Sequence, residues 1–333
     1  MQMLDERKLA ILMAVVQEYI STAQPVGSTH IAQLTGIKVS SATIRNDMAA
    51  LEQEGYLAQP HTSAGRVPTD KGYRLFVDQI TPQGGLDTAT RQQVGSFFGS
   101  AHGRLEELLQ STTHLLADLT KYAAVVVGPK AEAAVVRSVQ VVGLSGMNAT
   151  VVAVLSNGSV ESSTIELPDG VNDTHLGAAT IHLANALVGR SLSTPVSLLR
   201  TGEPLVDSLC DRAMGAIVAH ADDQSVFMGG ASSMARAFDA VDTVRAILGT
   251  LEQQYIVVSL VRDVLDRGLS VAIGGEHGVE PLAACSVIVA PVVADGEHLG
   301  TVGVLGPTRM NYPKAMATVG VVSDELGRRL SEG

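Results

Sequence analysis

Apolar positions return at helical spacing three times within the first eighty residues. Leu9, Leu12, Val16 and Tyr19 share one face, which predicts an amphipathic helix over Glu6 to Ile20. Pro25 and Gly27 close that segment. Ser28 is placed to cap a short second helix, Thr29 to Thr35, with Ile31 and Leu34 turned inward. Gly36 to Val39 makes a turn. Ser40 then stands where its hydroxyl can accept from a free N–H of a first helical turn, and Ile44, Met48 and Leu51 line one face of a helix over Ser41 to Glu54. Gly55 ends this helix, because glycine takes the left-handed conformation without steric cost. Extended pieces follow at Tyr56 to Ala58 and Arg66 to Val67, around a polar loop with Pro60, Ser63 and Gly65. Thr69 caps a further helix, Asp70 to Ile80, whose packing face is Tyr73, Phe76, Val77 and Ile80. Two helices across a tight turn, a stop and a hairpin describe a winged helix-turn-helix over residues 1–80.

The texture changes further on. Thr81 to Asp87 reads as a polar, Gly-rich linker. A leucine-bearing helix, roughly Ala101 to Tyr122, is the best candidate for an interdomain or dimer helix, with core packing in its own domain as the rival reading. From Ala123 β-branched runs take over (AAVVVGP, VVRSVQVVGL, TVVAVL, VESSTIEL), with a hairpin signal at Asn157-Gly158. Helical stretches are predicted at Asp173 to Val188, Leu205 to Ala221 and Ser233 to Asp266. Extended runs return at VFMGG, LSVAIGG, CSVIVAPVV and HLGTVGVLGP, before a closing helix from Tyr312 to Leu330. The fold class is α+β, and no internal repeat is present.

Composition narrows the function classes. No run of about eighteen apolar residues occurs, so a membrane span is not expected. The opening MQMLDERKLA carries acid where a signal peptide has a basic region, which points to a cytoplasmic protein. Cys210 and Cys285 lie far apart and read as two buried thiols, without metal spacing or a disulfide framework. The net charge of −11 is the wrong sign for a DNA-binding protein, yet the first eighty residues hold seven Lys/Arg against eight Asp/Glu, so the acid sits mainly elsewhere. The cationic footprint must be local: Lys38, Arg45, Arg66, Lys71 and Arg74. Few phosphate contacts per protomer follow, and a homodimer is needed for affinity.

In a helix-turn-helix the second helix enters the major groove by its N-terminal residues. Arg45 can donate twice to guanine, Asn46 can pair in a bidentate way with adenine, and small Ala42 and Ala49 allow close approach. Ser40, Ser41 and Thr43 offer hydroxyls to phosphates or bases. The loop supplies His61, Thr62 and Ser63, Arg66 at its base can reach a phosphate or the minor groove, and Lys71 is a phosphate contact. Taken alone, Arg45 and Asn46 read equally well as solvated helix residues, with Arg45 paired to Asp47 or Glu52.

The run VSSATIRND, LEQEGYL and PHTSAGRVPTDKGYR resembles the HrcA family of heat-inducible transcription repressors, as do VFMGGAS, AIGGEHG and VGVLGPTRMNYPKA nearer the C-terminus. The middle of the chain matches in texture alone. The resemblance implies a repressor of chaperone operons that binds double-stranded DNA at an inverted-repeat operator, the CIRCE element, and has the GroE chaperonin as a partner. It also implies a GAF-like domain carrying an inserted dimerisation domain. We place the linker helix and GAF-like domain at 81–164 and 226–333 and the insert at 165–225; strands between Val135 and Glu166 fit either part.

Catalysis finds little footing. Gly274, Gly275 and Gly278 lack the spacing of a phosphate loop, Glu276-His277 reads as a strand-end turn, and no G-x-S-x-G elbow is present. Glu276 and Arg309 are expected to form a structural ion pair pinning two strand ends. No cofactor and no metal site are expected. The rival functional class is a ligand-responsive transcription factor that senses a small molecule through its GAF-like domain.

Overall fold

The computed structural model describes the chain except residues 1–3, 35–38, 62–63, 81–85, 101–103, 129–134, 145–146, 157–159, 193–195, 222–225, 236–237, 239–240, 252, 269, 295 and 332–333. Helices α1 (Glu6–Thr22), α2 (Ser28–Gln33) and α3 (Ser41–Gln53) are followed by strands β1 (Leu57–Ala58) and β2 (Val67–Pro68) and by α4 (Asp70–Gln79). The signals that start and stop them are largely those in the sequence. The Ser40 hydroxyl accepts from the Thr43 N–H at 3.1 Å, and Gly55 sits at φ +78° just past α3. Ser28 departs from expectation: it is the first residue of α2, with Gly27 as its cap. β1 and β2 pair antiparallel, and a backbone bridge from Val26 to Arg66 adds a third edge to the hairpin. Gly65 belongs there because a Cβ would lie 2.5 Å from the Val26 carbonyl carbon. Ile11, Leu12, Val15, Ile31, Ile44, Met48, Leu51, Tyr73 and Phe76 close the core.

Next come α5 (Thr88–Ser100) and α6 (Leu105–Thr120). α5 is an element the sequence reading passed over; Asp87 caps it by accepting from the Thr90 N–H at 2.9 Å. Strand β3 (Ala123–Val127) opens a five-stranded antiparallel sheet ordered β7-β3-β10-β9-β8, with β7 (Val226–Gly229), β8 (Val271–Ile273), β9 (Cys285–Ala294) and β10 (Glu297–Pro307). Strand alternation sends Ala124 and Val126 to one face, under α5, α6 and α12 (Tyr312–Ser331). It sends Ala123, Val125 and Val127 to the other, under α9 (Ala231–Ala235), α10 (Val241–Leu251) and α11 (Gln254–Asp266). α6 buries Leu109 and Leu116 in a core shared by the winged helix and one face of the main sheet.

A separate module interrupts the sheet between β3 and β7. β4 (Val136–Gly143), β5 (Asn148–Leu155) and β6 (Val160–Glu166) form their own antiparallel sheet. One face of it packs on α7 (Asp173–Leu187) and α8 (Pro204–Ala221) through Val139, Val151, Leu155, Leu183, Leu209 and Ile217. The strands that fitted either part thus share a core with α7 and α8, so an edge at residue 165 would cut a sheet. Asn157-Gly158 lies outside the described residues; on the strands to either side, Val154 pairs with Val160. Cys210 and Cys285 are both buried, and burial pushes their thiols up, to about 11 and about 12. Beside the main sheet, near Met228 and Leu260, lies an apolar crevice of about 20 Å³. That is too small to admit more than a water, and the crevice offers no convergent polar groups.

Candidate nucleic-acid interface

α3 presents two unlike faces. Ile44, Met48 and Leu51 are buried, whereas Ala42, Arg45 and Asn46 are exposed, with Ser41 and Thr43 half-exposed. Ser40 and Thr43 also hydrogen-bond hydroxyl to hydroxyl at 2.9 Å, so both serve the helix start. Whether Arg45 is neutralised by its own helix is answered by where the helix's acids go. Asp47, buried, takes the Arg7 guanidinium from α1, Nε to Oδ2 at 2.8 Å and Nη2 to Oδ1 at 3.2 Å. Glu52 takes Arg66, with Nε and Nη2 each 2.9 Å from Oε2. Glu54 takes Lys8 at 2.9 Å. The two carboxylates of α3, Asp47 and Glu52, and that of its C-cap Glu54 are therefore balanced from other elements. Among the described residues, Arg45 and Asn46 have neither an ion-pair nor a hydrogen-bond partner.

The other expected cations are placed differently. Arg66 fastens the base of the wing to α3 through Glu52, where it was expected as the phosphate-gripping cation of the loop. Lys71 donates to the Glu54 carbonyl at 2.8 Å and lies 4.2 Å from the centre of the Tyr56 ring. It thus caps the C-terminal end of α3, where a cation meets the negative end of the helix dipole. Arg74 leaves the surface for Glu276. Lys38, Thr62 and Ser63 lie outside the described residues; His61 is exposed at the loop. Arg45 and Asn46 thus lie on the outward face of α3 with Ser41 and Thr43 on its two flanks, while Arg66 and Lys71 make contacts within the domain.

Glu276 was expected to face Arg309. Its carboxylate is instead forked by Arg74, Nε to Oε1 at 2.9 Å and Nη2 to Oε2, and accepts from the Ile273 N–H at 2.9 Å. Burial works to raise this carboxyl, but the guanidinium and the amide outweigh it and hold it below the ordinary value. The partner lies 202 residues away, beyond the reach of any local pattern. The neighbouring His277 is buried: its Nε2–H is shared between the Leu282 and Cys285 carbonyls at 3.1 and 3.3 Å, and its Nδ1 accepts from Val279. Both ring nitrogens serve the neutral tautomer, which suits structure and not acid–base work. No group of three or more His, Cys, Asp or Glu among the described residues could hold a metal.

Comparison with known proteins then decides the family. The family profile "HrcA protein C terminal domain" matches residues 106–316. The heat-inducible transcription repressor HrcA of Nocardioides sp. (strain ATCC BAA-499 / JS614) is 37% identical, over 99% of this chain and 100% of its own length. The chain belongs to the HrcA family. The HrcA of Rhodococcus jostii (strain RHA1) is 40% identical over 98% of this chain and 99% of its own. A solved structure titled "Crystal structure of a hypothetical protein at 2.2 A resolution" shares the fold with a TM-score of 0.71, at 24% identity, over 99% of both chains. Membership in HrcA makes this α+β chain a heat-inducible transcriptional repressor and not an enzyme. No helix among the described residues is long and apolar enough to cross a membrane.

Proposed function

We propose that this chain acts in the cytoplasm as a homodimer that represses chaperone operons by binding an inverted-repeat operator of the CIRCE type. Each winged helix reads one half-site, the two-fold axis of the dimer matches that of the operator, and heat releases the complex. The observation that carries the reading is the uncommitted Arg45–Asn46 edge on a helix whose own acids are all balanced from elsewhere. Such an edge can approach DNA even on a chain of net charge −11, because local neutralisation removes the repulsion that Asp47, Glu52 and Glu54 would otherwise exert. Thr62, Ser63 and His61 remain the candidates for wing contacts.

The inserted module supports the homodimer. Its outer sheet face leaves Val142 about two-fifths exposed at one end, with Leu144 and Met147 more exposed next to it, and Val160 likewise exposed at the other end. Burial of these apolar side chains against a second copy would favour pairing. The GroE chaperonin fits as a partner because the chain is apolar and its sheets pair strands from distant segments, so folding exposes apolar surface for longer. Chaperonin freed from other clients then raises the active fraction by mass action. The test is binding of the full-length chain to its own upstream DNA, across temperature and with or without chaperonin. An inverted repeat should bind roughly a thousand-fold or more tighter than scrambled duplex, the complex should weaken on heating, and chaperonin should restore it. Equal affinity for repeat and scrambled duplex would overturn the reading.

A further inference from the structure

The sequence motifs TDKGYR and GGEH meet in space, and their contacts form one polar junction between the winged helix and the main sheet. Asp70 Oδ2 accepts from the Gly275 N–H at 3.2 Å. Arg74 forks Glu276 and also donates to the Val271 carbonyl at 2.8 Å. Gly274 sits at φ +53°, which favours glycine, and a Cβ there would lie 2.2 Å from the Asp70 carboxylate and so displace it. Tyr73 stacks obliquely on Tyr312 at 5.9 Å between ring centres. On the α1 side the bodies part around a cleft of about 640 Å³, lined among others by Gln17, Phe76, Tyr122 and Arg309. Close polar contact is thus made on the α4 side.

α4 is equally tied to the reading helix. Lys71 holds the Glu54 carbonyl, Thr69 Oγ1 donates to the Gly55 carbonyl at 2.7 Å, and Gly72 lies against the Tyr56 carbonyl. α4 is therefore a shaft with α3 fixed to its first turn and the Gly274–Glu276 turn fixed along its flank. Any rotation of α3 relative to the main sheet must break the Asp70 and Arg74 contacts.

We infer that Asp70, Arg74, Gly274 and Glu276 are positioning residues that set the direction in which each α3 points, and so the half-site separation that the dimer accepts. The inference rests on the dimeric DNA-binding reading above. Half-sites recognised by such dimers are separated by whole helical turns, so five inserted base pairs turn one half-site to the opposite side of the duplex. A rigid junction rejects that operator; a loose one tolerates it.

The test uses the full-length chain and an inverted repeat that it selects from random duplex, with the same repeat carrying five extra central base pairs and with a single half-site. Wild type should strongly prefer the selected spacing. Arg74→Glu and Glu276→Arg should each reduce that preference by about tenfold while single-half-site affinity stays within about twofold, the value expected of an intact reading head. The double swap Arg74→Glu/Glu276→Arg should recover part of the preference. Gly274→Ala offers an independent disruption without a charge change. Unchanged spacing preference in all these variants, with half-site binding intact, would overturn the inference and leave the repressor reading standing. Failure of wild type to prefer any duplex would remove both.

Discussion

Arg45 and Lys71 carry the same charge and sit on the same domain, yet their surroundings give them different work. Arg45→Ala should lose on the order of 1–3 kcal/mol of discrimination between operator and scrambled duplex with no change in stability, read by competition binding and urea melts. Lys71→Ala instead removes a cap on α3, so its effect should appear as about 1 kcal/mol of lost stability with sequence preference retained. Tyr73 buries a hydroxyl with no partner among the described residues. Tyr73→Phe should raise the urea midpoint, by about 1 kcal/mol of stability, because an unsatisfied polar group is removed without loss of ring packing. Two groups at the GGEH turn make stability depend on acid. Burial lowers the His277 pKa, against the pull of its two carbonyls, so the unfolded chain takes up the proton first. Stability contributed there is complete above about pH 6.5 and falls as pH drops below it, since a second ring N–H would confront the Val279 N–H. Glu276, held below its ordinary value, contributes above about pH 4.3 and loses that contribution as pH falls through its lower folded value. Urea midpoints across pH should therefore show two acid steps, the first absent in His277→Gln.

At the scale of elements, α3 and α4 show why parts of the architecture were legible in advance. Ser40, Gly55 and Thr69 act through the backbone within three or four residues, and the spacing of Ile44, Met48 and Leu51 reports a face directly, so start, stop and orientation can be read from the chain. α5 was hidden because Gly95 and Gly99 interrupt a weak apolar pattern, and docking of Val94 and Phe98 is what holds it. The partners of Arg66, Arg74 and Glu276 were hidden for another reason: charge complementarity between distant segments leaves no local trace. The insert edge was misjudged because β-branched strands of neighbouring cores look alike until their pairing is known. Gly72 illustrates a constraint visible only in three dimensions. A Cβ there would lie 2.2 Å from the Tyr56 carbonyl oxygen, so Gly72→Ala should cost roughly 2–3 kcal/mol and loosen α4 from the wing, measured by denaturant unfolding.

At the scale of the molecule, three apolar cores among the described residues divide the tasks. One joins the winged helix to a face of the main sheet, one fills the opposite face, and one lies wholly within the insert. Because the insert shares no core with the reading head, replacing residues 128–225 by a short Gly/Ser bridge should leave the main sheet folded, the chain monomeric, and affinity for an inverted repeat reduced to that for one half-site. Sedimentation and binding measured together check this; a dimer that survives the excision would place the pairing surface elsewhere. The attachment points make such surgery feasible, since Val127 and Val226, where the chain departs and returns, are paired residues on adjacent strands. A lineage that duplicated, enlarged or exchanged the intervening genetic segment would leave the spacing of those strands untouched. On the proposed reading, in which the insert carries the pairing surface, the same scaffold could then acquire a new mode of self-assembly without relearning how to recognise its target.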